Sequence, residues 1–251
     1  MRRVLGIVLS LGLAAAALSA PVLAQVPAAI AAAVADSSRP DADRMRDAER
    51  KPDQALLFSG IKAGDKVAEL FPGGGYYTRL LAKAVGPTGH VYALVPDMPA
   101  PRPQGTQALI DIAKTNPNVT IVNGPFLGFA PAEKLDMVWT SENYHDFRNM
   151  MFGAIDPATL NKKIFDLLKP GGIFYIEDHA AAAGAGATVT NSLHRIDPAT
   201  VRAEVEAAGF RLQGMSDYLS NPADDHSKVI FDPSIRGHTD KFVMRFQKPR
   251  R

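Results

Sequence analysis

Cysteine is missing altogether from the 251 residues. That excludes a disulfide framework, a thiolate metal site and cysteine catalysis together. It suits an oxidising compartment without requiring one. An excess of either charge is also missing. The chain has 28 Lys and Arg against 26 Asp and Glu, and Arg2 and Arg3 account for the difference. A neutral body has no electrostatic footprint for nucleic acid. Beyond the first two dozen residues no apolar run is long enough to span a bilayer. With 46% hydrophobic and 22% charged residues, the composition is that of a globular protein and excludes a disordered or coiled-coil chain. The length suits one α/β domain or two small ones. No internal repeat is present.

What is there begins with a three-part leader. Arg2 and Arg3 are followed by an apolar run from Val4 to Leu18, and Val22-Leu23-Ala24 offers a cleavage site after Ala24. This is the build of a secretory signal peptide. The run, about 15 residues, falls short of the ~20 needed for a membrane anchor, and the missing cysteine excludes a lipoprotein. The expected organisation is a signal peptide over 1–24, a flexible leader over 25–40 and one domain over 41–251. The expected location is periplasmic or secreted, of bacterial type.

The rest alternates strand and helix. Asp41, Asp43, Arg44, Arg46 and Arg50 suggest a charged helix with acids early and bases late. Strands are expected at Lys66–Phe71, His90–Val95, Val119–Val122, Leu135–Thr140, Ile173–Glu177, Phe210–Gly214 and Phe242–Phe246. Helices are expected at Tyr76–Val85, Gln104–Lys114, Leu160–Leu168 and Pro198–Ala208, the last closed by Gly209. Such alternation means a mostly parallel sheet covered on both faces. Ala180–Ala187 reads as a low-complexity loop. Trp139 lies in an apolar strand and reads as packing. Lys248, Arg250 and Arg251 read as a solvated tail.

Chemistry enters at Val67-Ala-Glu-Leu-Phe-Pro-Gly-Gly-Gly-Tyr-Tyr-Thr78. Glycines at a strand-to-helix junction let a ligand approach the backbone. Thr78 stands where a dinucleotide fingerprint needs its third glycine, which weakens a NAD-dependent oxidoreductase reading, and no Gly-Lys-Ser/Thr is present to grip phosphate. Glu69 before the loop repels phosphate and favours a ligand with positive charge. The second signal is Leu167-Leu-Lys-Pro-Gly-Gly-Ile-Phe-Tyr-Ile-Glu-Asp178, a helix end followed by a buried strand that finishes on acids.

Together the two segments resemble class I S-adenosylmethionine (SAM)-dependent methyltransferases, and Ala208-Gly209-Phe210 is similar to their lead into strand six. Pro72-Gly-Gly-Gly-Tyr-Tyr, Asn143-Tyr-His-Asp146, Asp178-His179 and His194-Arg195, with the leader, look like the exported bacterial "predicted methyltransferase" family. The resemblance covers roughly residues 45 to 248. It implies an α/β fold with a doubly wound, mostly parallel seven-stranded Rossmann-like sheet, an antiparallel last strand and an N-terminal helical addition. It implies SAM as cofactor, a small-molecule acceptor and no nucleic-acid partner. The cofactor-binding residues it suggests are Glu69, Gly73, Gly74, Gly75, Tyr76, Asp97, Asn123 and Glu142. Phe71 replaces the family's first loop glycine. The ribose-binding acid falls on Val95, leaving Asp97 as substitute, and the adenine-binding acid falls near Gly124-Pro125, with Asn123 as stand-in.

Methyl transfer to oxygen or nitrogen needs positioning and a general base. Candidates follow strands four and five: Glu142 to Asp146, Asp178 and His179, with His194 and Arg195 beyond. His145, Asp178 and His179 are the catalytic candidates, because imidazole titrates near neutrality. Asp and His side by side also invite a metal reading, in which His145, Asp178, His179 and His194 meet in space, but no metal-ligand spacing is present and no metal is assigned. The competing reading is an exported, catalytically silent domain of the same fold that binds a ligand or partner.

Overall fold

The computed structural model describes residues 26–96, 103–149 and 153–250. The expected signal peptide and Asp97 lie outside them. Seven strands form one sheet: β1 (Lys66–Leu70), β2 (His90–Val95), β3 (Val119–Asn123), β4 (Leu135–Ser141), β5 (Leu168–His179), β6 (Arg211–Ser216) and β7 (Lys241–Gln247). Their order is β3-β2-β1-β4-β5-β7-β6. The first five run parallel, and β7 is antiparallel to both β5 and β6.

Central strands buried on both faces need apolar side chains pointing each way. Val67, Trp139, Tyr175 and Val243 point to one core, and Ala68, Val138, Phe174 and Met244 to the other. Trp139 stacks on Tyr175 with ring centres 3.8 Å apart, which confirms its packing role. The first core is closed by helices α1 (Ala28–Val34), α4 (Pro52–Ser59), α5 (Tyr76–Val85) and α6 (Pro103–Thr115), the second by α7 (Pro157–Leu167) and α9 (Pro198–Ala207). Both α7 and α9 begin with proline behind an aspartate cap: Asp156 accepts from the Thr159 N–H and Asp197 from the Ala199 N–H. Gly209 follows α9 at φ 101°, the expected terminator.

Two expectations at the N-terminal side change. Residues expected as a flexible leader form α1, which buries Ile30 and Ala33 in the first core. An alanine-rich stretch is helix-prone, and its apolar i, i+3 pair has a face to cover. The single charged helix expected after residue 40 is two short ones, α2 (Asp41–Arg44) and α3 (Asp47–Arg50). Lys51, at φ 44°, then turns the chain into α4. Pro52 cannot continue the preceding helix but is well placed to start the next. The arm 28–59 therefore lies against the domain as an integral layer. A short helix α8 (Thr190–Leu193) precedes α9.

Candidate active site

Five parallel strands bring their carboxyl ends to one edge of the sheet, and the chemistry-bearing residues lie along it. After β1 the chain turns through Phe71 (φ 54°), Pro72, Gly73 (φ 56°), Gly74 and Gly75 (φ 83°) into α5. Phe71 takes a left-handed backbone, a conformation that costs a side-chain-bearing residue about 1–2 kcal/mol. Its ring packs edge-on against Phe147, 4.8 Å between centres.

The glycines divide by role. A Cβ on Gly73 or Gly74 would meet nothing within 4 Å. A Cβ on Gly75 would lie 2.2 Å from Ile112 Cδ1. Gly75 therefore admits α6, not a ligand, whereas Gly73 and Gly74 leave open space above the loop. Arg79 steadies the turn by donating to the Gly74 and Gly75 carbonyls and to Asp43 of α2.

Beside the loop, at the ends of β1, β2 and β3, is a cavity of about 420 Å³. Leu70, Phe71, Leu94, Phe126 and Phe147 form its apolar wall, and Asp156 and Thr159 of α7 add a polar rim. Asn123 ends β3 exposed and is not part of that wall. The aromatic wall and Asp156 were not legible in sequence, because they come from four separate segments.

Glu69 is 3% exposed and accepts from Thr78 Oγ1 at 2.6 Å. Burial pushes its carboxyl up to about 7, against the pull of Thr78, Arg50 and Arg79. Among the described residues no loop N–H reaches it, so Glu69 ties β1 to the first turn of α5. Tyr76 is also buried. Its hydroxyl donates to Asp47 at 2.7 Å, and the guanidiniums of Arg39, Arg46 and Arg50 lie 4.9–5.5 Å from its ring centre. The arm thus covers the Tyr76 ring, which the resemblance suggests as cofactor-binding.

Glu142, at φ 60°, pairs with Arg50 of α3 and with Lys241 of β7. Burial alone would raise its carboxyl, but Arg50, His179 and Lys241 hold it well below the usual carboxylate range. Its neighbour Glu177 accepts from Ser141, Tyr77 and Tyr175, and burial together with Glu142 raises its carboxyl. This carboxylate–tyrosine network locks the arm to β4 and β5. The sequence marked β5 as finishing on acids but gave no reason to single out Glu177.

Of the catalytic candidates, the structure joins His145 to Asp178. Nδ1 lies 2.8 Å from one Asp178 oxygen, and the His145 backbone N–H donates to the other. Burial lowers the imidazole, yet Asp178 and Asp146 outweigh it and raise the ring to about 10. His179 turns away. Its Nδ1 lies 2.8 Å from Thr239 Oγ1, and burial lowers it to about 4, so it is neutral at pH 7. Tyr144 packs away from the edge, bonded to Asn161 and Glu204. Arg195, fully buried, holds the 217–240 segment through Asp224 and the Lys228 carbonyl.

Sheet order, glycine loop and edge cavity define the fold of class I SAM-dependent methyltransferases. Among solved structures, the chain is similar to a SAM-dependent methyltransferase from Aquifex aeolicus, at 17% identity and TM-score 0.56, over 81% of this chain and 95% of that one. It is similar to an arsenic(III) SAM methyltransferase from Chlamydomonas reinhardtii, at 19% identity and TM-score 0.55, over 89% and 74%. It is also similar to the (4+2)-cyclase SpnF, at 15% identity and TM-score 0.58, over 83% and 81%. At these identities the likeness establishes the fold, and a fold does not by itself fix a reaction. No family model and no curated sequence matches the chain.

Proposed function

We propose that the protein transfers a methyl group from SAM to a small-molecule acceptor. We place it with the exported "predicted methyltransferases" its motifs resemble, acting in the periplasm or after secretion. The observation that carries the reading is the loop 71–75, with open space over Gly73 and Gly74 beside an apolar cavity.

The residues fit the cofactor's parts. Leu94, Phe126 and Phe147 suit a flat adenine, and Asp97 is the candidate for the ribose hydroxyls. Among the described residues Arg46 forms no ion pair, and it lies 5.4 Å over the Tyr76 ring next to the loop. We take it as the candidate for the methionine carboxylate. Glu142 is committed to Arg50 and Lys241, so its role is to hold the arm in position. SAM, when bound, supplies an electrophilic methyl group on a sulfonium. The chain's part is to hold acceptor and sulfonium in line and to keep water out. The imidazole that stays neutral at pH 7, His179, is turned to Thr239, so the reading rests on positioning rather than on an assigned base.

Calorimetric titration of the mature protein with SAM, with NAD as control, tests the reading. One equivalent of SAM bound and no NAD is the expected result. No uptake at millimolar SAM replaces it with the silent-domain alternative.

A further inference from the structure

A second cluster stands on the same edge, after β4 and β5. His145 and Asp146 open a single 3-10 turn, and His194 follows α8 in left-handed backbone at φ 54°. His145 Nε2 lies 3.3 Å from His194 Nδ1 and 3.3 Å from Asp146 Oδ1, and the last two atoms are 3.4 Å apart. The three donor atoms form a nearly equilateral triangle. Around a tetrahedral ion with bonds of about 2.0–2.1 Å, neighbouring ligands stand roughly 3.3–3.4 Å apart. Octahedral geometry at that bond length would draw them in to about 2.8–3.0 Å.

We propose that His145, Asp146 and His194 bind a first-row divalent transition ion, zinc foremost, in a tetrahedral site with its fourth position open. Two imidazoles and one carboxylate suit such ions better than magnesium or calcium. The remaining opening lies on the His194 side, where that side chain is 23% exposed while His145 is 1%.

Two further observations point to the ion. Asp146 Oδ1 is buried and makes no hydrogen bond, although two imidazole nitrogens flank it. Its contacts to those nitrogens are long, 3.3 and 3.4 Å, and a cation at the triangle's centre would give the oxygen a closer partner of opposite charge. Behind His145, Asp178 takes the Nδ1–H and the backbone N–H. With Nδ1 committed there, Nε2 is the ring's remaining ligand atom, and it faces His194 Nδ1 and Asp146 Oδ1. A carboxylate behind a ligating histidine is the usual outer support of a metal site. Sequence spacing hides the set, since His194 follows His145 by 49 residues. A water or acceptor oxygen in the open position would lose its proton more readily than in solution.

The proposal goes beyond methyl transfer and does not depend on it. Tag-free protein dialysed against chelator is titrated with Zn²⁺ and, separately, Co²⁺, without SAM. One equivalent of Zn²⁺ and the intense visible bands of tetrahedral Co²⁺ are expected. Asp178→Asn should weaken uptake roughly 10–100-fold, and His194→Ala and Asp146→Asn by more. His194 sits at the rim, so its variant is expected to keep the wild-type circular dichroism and unfolding midpoint. Absence of stoichiometric uptake by the wild type would overturn the proposal. So would uptake that survives both His194→Ala and Asp146→Asn. Because SAM is left out, failure here leaves the methyl-transfer reading standing, and failure of SAM binding leaves this site standing.

Discussion

Glycines side by side in the chain answer to different constraints. Gly75 is fixed by Ile112 and by its positive φ, so Gly75→Val damages the packing of α6 before it can report on a ligand. Gly74 carries neither constraint and is the cleaner probe. Gly74→Ala is expected to leave the unfolding midpoint unchanged and to weaken SAM at least tenfold, measured by calorimetry. Arg46→Ala should weaken SAM by a further independent step of about 1.5–3 kcal/mol, the value of a charged hydrogen bond. Unchanged affinity would remove Arg46 from the carboxylate. Glu69 sets a pH dependence. Its folded-state carboxyl, near 7, lies above the ordinary 4.5, so the folded protein binds the extra proton and loses stability as pH rises from about 4.5 to 7. The loss from this group approaches 3 kcal/mol. Glu69→Gln retains an acceptor for Thr78 and should flatten that fall, read from urea unfolding at pH 5 and pH 7.5.

The β–α units around the glycine loop were legible because strand and helix periodicities each had one partner layer to satisfy. Tyr76–Val85 and His90–Val95 begin and end where the pattern places them. The arm was not legible, since α2 and α3 are single turns whose stability comes from partners far away in sequence. Arg50 shows why: its carboxylate partner is Glu142, 92 residues on. The site was half legible for the same reason. Motif residues were found, but Phe147 and Asp156, which shape the cavity, carry no motif. Arg50→Ala removes one of the two cations paired with Glu142 and leaves only Lys241, 3.4 Å away, which should cost roughly 1–3 kcal/mol of folding stability. A chemical-denaturation curve that matches wild type would contradict this account of the arm.

At the scale of the molecule, the arm and the sheet share one core, with Ile30, Ala33, Ala55 and Leu56 in the same cluster as Val67 and Trp139. A chain starting at residue 60 would expose that face. It is expected to lose the cooperative thermal transition, which a melting curve by circular dichroism will show. If the leader directs export, mass spectrometry of protein from outside the cytoplasm will find Gln25 as its first residue; an intact Met1 on cytoplasmic protein would refute the placement.

Arg50 also bears on the order of events in folding. The arm precedes the sheet in the chain, yet its anchors beside β4, β5 and β7 come far later, with Lys241 completing the charge set around Glu142. Contacts so distant in sequence form late and slow the final step. Until then Arg50 stays solvated and apolar residues such as Leu56 lack cover. The interval before docking is therefore when the nascent protein is most open to proteases and to association with other unfinished chains.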